Sequence, residues 1–369
     1  MGIKKIILEI KKMDWLLFIF ALLLAGVGLV VIYSSSLSKG DFFNFKKQII
    51  FLFIGLLLMF LLSFFDWRVF RDDPYLILIF YIFCLFLLIG LFFWAPEIRG
   101  VRGWYKIGEF SFDPIELTKI ILIILLAKYF STRHVEMYRF RHIVLSGFYV
   151  LLPSLLIFFQ PNLGSVLVIL SLWIGILMVS GIKLKHFFIL FLVFFILFLL
   201  SWNTVLKDYQ KERIISFIQP HFADPLKIGW SQNQAKIAIG SGGFLGKGFG
   251  KGSQTQYGFL PEPQTDFTFA AIAEEFGLIG VVILFFLFFL LFWRIFKISF
   301  LAKSNFPRLF AVGFAISVFS QFFIHIGMNL GLLPIIGIPL PLVSYGGSNL
   351  IMTFVGLGIL QSICYSSVT

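Results

Sequence analysis

Uninterrupted apolar runs recur along this chain at about 20 residues each, the length an α-helix needs to cross the hydrocarbon of a bilayer. They fall at 15–33, 48–65, 75–94, 115–131, 143–160, 163–180, 186–205, 267–293, 308–333 and 345–364. Inside lipid every backbone polar group must be paired within the protein. A helix does this alone, whereas a lipid-embedded barrel requires an apolar–polar alternation that these runs lack. The 369-residue chain is 59% hydrophobic with a mean hydropathy of +0.98, more apolar surface than a soluble domain of this length can bury. The expected fold is an all-α integral membrane protein, one polytopic domain over residues 1–369 with about ten transmembrane helices. A large extracytoplasmic loop, 206–266, joins helices 7 and 8. The charge-free segment 334–348, rich in Pro and Gly, reads as a re-entrant outer loop, because irregular backbone at membrane depth has to line a cavity or be buried in protein.

Lys and Arg set the orientation. With the N-terminus inside, the cytoplasmic side carries Lys4, Lys5, Lys11, Lys12, Arg68, Arg71, Arg133, Arg139, Arg141, Lys183, Lys185, Arg294, Lys297, Lys303 and Arg308. The short outer loops keep only Lys39, Lys46, Lys47, Arg99, Arg102 and Lys106. The net charge of +12 therefore reads as loop bias and attraction to anionic lipid headgroups, not as a nucleic-acid surface. Cys84 and Cys364 sit inside apolar runs, so no disulfide framework is expected. The first apolar run lacks a small-residue cleavage site and reads as a retained span.

Ionisable groups within spans are costly and usually functional. Those near span ends here are Glu116, Lys119, Asp266, Glu274, Glu275 and His325, all placed in the outer half of the bilayer by this orientation, while the inner half has only border residues such as Lys128. That pattern suits work at the outer leaflet better than a path through the membrane, as a pump or flippase would need. Asp266 stands where the hydrophilic stretch ends and an apolar helix begins, beside Phe267 and Phe269. Glu116 and Lys119 are three apart and share a helical face, which suits either bracing or an ammonium held ready for a phosphate. Arg99 and Arg102 precede them in a loop that Trp104 and Tyr105 would anchor at the interface, and such a cluster grips diphosphate or is simply solvated. For Glu274 and Glu275 the alternative is that they pair and brace the bundle. The glycine-rich run 240–248 is no nucleotide loop, since Gly248 follows Lys247 where Ser or Thr is required. Its glycines either admit a bulky ligand or let the loop fold back on the bundle.

Taken in order, these marks resemble the SEDS family (shape, elongation, division and sporulation). They are Glu116…Lys119, Gln160-Pro161-x-Leu163-Gly164, Tyr209…Arg213…Pro220…Asp224-Pro225, Gly240-Ser241-Gly242-Gly243…Gly246-Lys247-Gly248, Pro261-Glu262…Thr265-Asp266-Phe267, Glu274-Glu275-x-Gly277 and Pro341…Ser344-Tyr345-Gly346-Gly347-Ser348. The string Gly337-Ile338-Pro339-Leu340-Pro341 is closer to the elongation type than to the division type. The sequence departs from the family pattern at Asn162, Gln264 and Gly103, where Asp, His and Arg are usual.

The resemblance implies an inverting peptidoglycan glycosyltransferase of the bacterial cytoplasmic membrane, multi-pass with a cytoplasmic N-terminus. It polymerises lipid II at the outer face and works with a class B penicillin-binding protein, the transpeptidase. The alternatives are a division-type polymerase and a lipid-linked precursor flippase. Asp266 matches the family's essential acid and is assigned as the general base. Lys119, Glu116, Arg99, Arg102 and Arg213 are the candidates for holding the diphosphate, and Ser344, Tyr345, Gly346, Gly347 and Ser348 for the cavity wall. No fixed cofactor or protein-held metal is expected, while a divalent cation (Mg or Mn) accompanying the substrate diphosphate is compatible with this chemistry.

Overall fold

A computed structural model describes residues 13–38, 40–97, 101–133, 140–204, 211–212, 215, 217 and 228–368. Helices occupy all ten expected positions: α1 (Trp15–Leu37), α2 (Phe43–Ser63), α4 (Pro74–Trp94), α5 (Pro114–Arg133), α6 (Phe140–Phe159), α7 (Leu163–Val179), α8 (Leu184–Thr204), α11 (Thr268–Leu301), α12 (Asn305–Leu330) and α13 (Gly347–Val368). Between them lie the shorter α3 (Arg68–Asp72), α9 (Ile228–Gly242) and α10 (Ser253–Gln256). By length and composition, seven of the described helices can cross a membrane. The protein is a multi-pass, all-α membrane protein.

Local chemistry sets many helix ends. The Asp14 side chain accepts from the Leu17 amide at the start of α1, and the Asn162 side chain accepts from the Ser165 amide at the start of α7. Asp73 caps α4 ahead of Pro74, whose fixed φ suits a first turn. Gly331 ends α12 in the left-handed conformation, with φ 75°. The helix expected over 48–65 starts earlier, at Phe43, and so takes Lys46 and Lys47 into its first turns.

Lipid-facing helices are apolar all round, so sidedness comes from packing. α5 is buried almost continuously from Ile115 to Ala127 and lies against α12. α13 packs along α2, and α12 also contacts α7 and α11. Small residues set the closest approaches: a side chain at Gly313 would meet Ile176 and Ile123, and one at Gly356 would meet the Phe314 ring. A feature the sequence reading did not anticipate is a hairpin before α5. There β1 (Tyr105–Ile107) pairs antiparallel with β2 (Phe110–Phe112), Lys106 opposite Ser111, turning at Gly108 with φ 63°.

Candidate active site

A cavity of about 380 Å³ opens among the first turns of α2, α5, α7 and α13, the hairpin, and the backbone between α12 and α13. Asp266, Glu116, Lys119, Tyr345, Gly346, Gly347 and Ser348 all line it. These residues are spread over 233 positions of sequence, from 116 to 348, and only the fold brings them together.

Asp266 occupies a tight turn just before α11, and its backbone is fixed on both sides. The amides of Thr265, Asp266 and Phe267 all donate to the Glu262 carbonyl at 3.2 Å. The Asn329 side chain donates to the Asp266 carbonyl at 3.0 Å and accepts from the Ala270 amide at 3.1 Å. His325 supports Asn329 from one turn earlier on α12. Its Nδ1 donates to the Ile338 carbonyl at 2.8 Å and its Nε2 accepts from the Phe269 amide at 3.4 Å, a pattern that sets the tautomer. Gly337, with φ 72°, leaves room beside the acid: a Cβ there would stand 3.7 Å from one Asp266 carboxylate oxygen and 3.9 Å from the other.

Glu116 and Lys119 form an ion pair of 2.7 Å on α5, and both are buried. Lys119 is 4% exposed, so its charge is held by its neighbour and not by water. Asp113, just outside the helix, donates its amide to the Ser348 hydroxyl at 2.8 Å and accepts from the Ile115 amide at 2.8 Å. Burial first, and then Glu116, push its carboxyl up to about 7, against the pull of the Ile115 amide and Lys119.

Ser344 stands behind the wall. Its hydroxyl accepts from the Leu340 amide at 2.9 Å and lies 2.8 Å from the Thr265 carbonyl, while the Tyr345 amide donates to the Gln264 carbonyl at 2.7 Å. These bonds tie the irregular segment after α12 to the turn that carries Asp266. Gln264 also bonds Asn44 and Ser36 through its amide side chain, so no charge is needed at that position. Asn162, which replaces the usual acid, lines the cavity while capping α7.

Arg102 does not line the cavity. Its guanidinium pairs with Glu97 at 3.1 Å, and its side chain is 47% exposed. Arg99 and Arg213 lie outside the described residues. The sequence reading missed Lys47, Trp104, Glu109, Asp113, Gln321 and Asn349, all of which line the cavity. Lys47 gave one signal: a Lys-Lys-Gln run abutting a membrane span, at a position the helix takes in.

The glycine-rich loop takes one of its two expected uses, folding back on the bundle. Glu274 accepts from Lys247 at 2.9 Å and from the Gln254 and Thr255 amides at 2.8 and 3.0 Å. Glu275 accepts from the Ser34 hydroxyl at 2.6 Å. Both acids brace the loop against α1 and α11, away from the cavity lining. The site thus joins a positioned carboxylate, an ion-paired ammonium and a second lysine in a partly apolar hollow, a set suited to proton abstraction beside a bound anion.

A family model described as a cell cycle protein, FtsW/RodA/SpoVE, matches residues 14–368. Peptidoglycan glycosyltransferase MrdB of Escherichia coli strain K12 is 37% identical over 265 residues, spanning 72% of this chain and 71% of that protein. Peptidoglycan glycosyltransferase RodA of Treponema pallidum is 32% identical, spanning 96% of this chain and 98% of that one. A solved structure concerning the coordination of polymerization and crosslinking by a peptidoglycan synthase complex superposes with a TM-score of 0.83 at 31% identity, covering 96% of this chain and 98% of that chain. The rod shape determining protein RodA of Thermus thermophilus superposes at 0.73 and 30% identity, over 97% of this chain and 98% of its own. Matched from end to end in sequence and in fold, this chain belongs to the FtsW, RodA and SpoVE family of cell cycle proteins, the SEDS family.

Proposed function

We propose that this protein is a peptidoglycan glycosyltransferase that polymerises lipid II, with Asp266 as its general base. The carrying observation is the convergence of Asp266 with the Glu116–Lys119 pair on one cavity. The acceptor sugar hydroxyl attacks the anomeric carbon of the donor, opposite its diphosphate. As the new C–O bond forms, the bond to the diphosphate breaks and its electron pair leaves on the phosphate oxygen. The hydroxyl proton passes to the Asp266 carboxylate. The Lys119 ammonium balances charge on the departing diphosphate. A divalent cation would enter with the phosphate oxygens of the substrate.

The bias of Lys and Arg among the loops supports a cavity on the outer face of the bacterial cytoplasmic membrane, with the N-terminus inside. Likeness to the elongation-type relatives supports a role in cell elongation. Likeness to the solved synthase complex supports a crosslinking partner, a class B penicillin-binding protein. The test is polymerisation of lipid II by the purified protein with its cognate transpeptidase. Asp266→Asn should lower the rate by about 100-fold or more, the usual scale of a lost general base, while the complex still assembles. Polymer yield equal to the parent protein would remove Asp266 from the reaction.

A further inference from the structure

Two lysines line the cavity, and their circumstances differ. Lys119 has Glu116 at 2.7 Å. Lys47 is buried too, at 8% exposed, yet among the described residues it has no carboxylate in ion-pair range. Its ammonium donates to the Glu109 carbonyl and lies 3.8 Å from the Phe43 ring centroid and 5.6 Å from that of Phe110. An ammonium has three donors, and burying one without an opposing charge is strongly unfavourable unless an anion arrives.

A second feature of the same cavity also favours an anion. The first residues of α13, Gly347, Ser348 and Asn349, line it. Amides in a first helical turn have no intrahelical carbonyl to meet, and this end of the helix carries the positive pole of its dipole. Gln48, next to Lys47, accepts from the Gly346 amide and donates to the Ser344 carbonyl, both at 3.3 Å, so α2 and the start of α13 are tied together. A side chain at Gly347 would meet the Phe51 ring at 2.5 Å, so the glycine permits this close approach.

Resting on the glycosyltransferase reading, polymerisation joins two lipid-diphosphate saccharides, and each brings its own anion. We propose that Lys47 and the first turn of α13 form a diphosphate subsite separate from Lys119. With Lys119 at the departing diphosphate of the donor, the Lys47 subsite holds the acceptor.

The experiment measures binding of undecaprenyl diphosphate to the full-length protein in zwitterionic nanodiscs, with phosphatidylglycerol and inorganic diphosphate as comparators. The parent protein should take two equivalents of undecaprenyl diphosphate. Lys47→Gln, which keeps a donor for the Glu109 carbonyl but no charge, should take one, with the lost site weakened about tenfold or more. Lys47→Arg should restore it. In turnover, Lys47→Gln should raise KM for lipid II about tenfold and leave kcat within about twofold. Parent-like binding by Lys47→Gln, failure of Arg to restore it, or equal occupancy by phosphatidylglycerol would each overturn the subsite. A parent protein that binds two equivalents but never polymerises lipid II would overturn the glycosyltransferase reading and leave the subsite standing.

Discussion

Asp266 owes its place to Asn329, whose single side chain holds the Asp266 carbonyl and the Ala270 amide together. Asn329→Ala removes both bonds without touching the carboxylate. Leaving such buried groups unmade costs about 1–3 kcal/mol, and misplacing a reacting group by an ångström costs up to roughly 100-fold in rate. The expected outcome is a fall in kcat of at least tenfold with a smaller change in KM, measured by lipid II polymerisation. Asp113 gives a pH signature. Its carboxyl titrates near 7 rather than 3.8, chiefly through burial. A carboxyl raised by folding contributes stability below pH 3.8 and loses it as pH climbs through about 7. Asp113→Asn stays neutral throughout. It should melt above the parent protein at pH 8, and the gap should close on acidification; a gap independent of pH would count against the burial argument. Asp266 was legible from sequence because it closes the long hydrophilic stretch against an apolar helix, and Glu116 and Lys119 because they share one face of a span three residues apart. Lys47 and Asp113 were not, since each lies at a span border where a charge is ordinary. Their burial comes from partners far along the chain, such as Ser348 against Asp113.

At the scale of elements, the break in α11 at Gly277 shows how irregular backbone survives in an apolar setting. Gly277 takes φ 63° and ψ −159°, so the bonds from the Leu278 and Ile279 amides to the carbonyls one turn back cannot form. The glycine-rich loop supplies both halves of each missing bond. Leu278 and Ile279 donate to the carbonyls of Gly243 and Phe244, while Lys247 and Gly248 donate to the carbonyls of Glu274 and Glu275. A side chain on Gly277 would run into the Gly246 amide and the Phe244 carbonyl. Non-glycine residues in this region of φ/ψ cost about 1–3 kcal/mol before any clash is counted. Gly277→Ala should therefore lower the melting temperature in detergent more than Gly26→Ala, which has open space around it. The spans themselves were readable to within a few residues because length and hydropathy decide them. The break was not, because a lone glycine in a helical run reads as a tolerated residue until its backbone partner is known.

Across the whole molecule, α1, α11 and α13 are clamped at the end remote from the cavity. Arg294 on α11 bonds both Asp14 carboxylate oxygens, at 2.9 and 2.8 Å, and Gln361 on α13 exchanges two bonds of 2.8 Å with the Asp14 backbone. Arg294→Ala would leave Asp14 buried without its cation, a loss of about 3 kcal/mol. Thermal unfolding should show it as a lower midpoint, with the cavity residues unaltered in place. Sequence position alone could not reveal this clamp, because its members are 347 residues apart in chain order. The same arrangement bears on biogenesis. The wall carrying Ser348 and Asn349 belongs to α13, which leaves the ribosome well after Asp266. A nascent polypeptide halted before that helix lacks one wall of its cavity, so α13 must be made before a strand of cell wall can be drawn out.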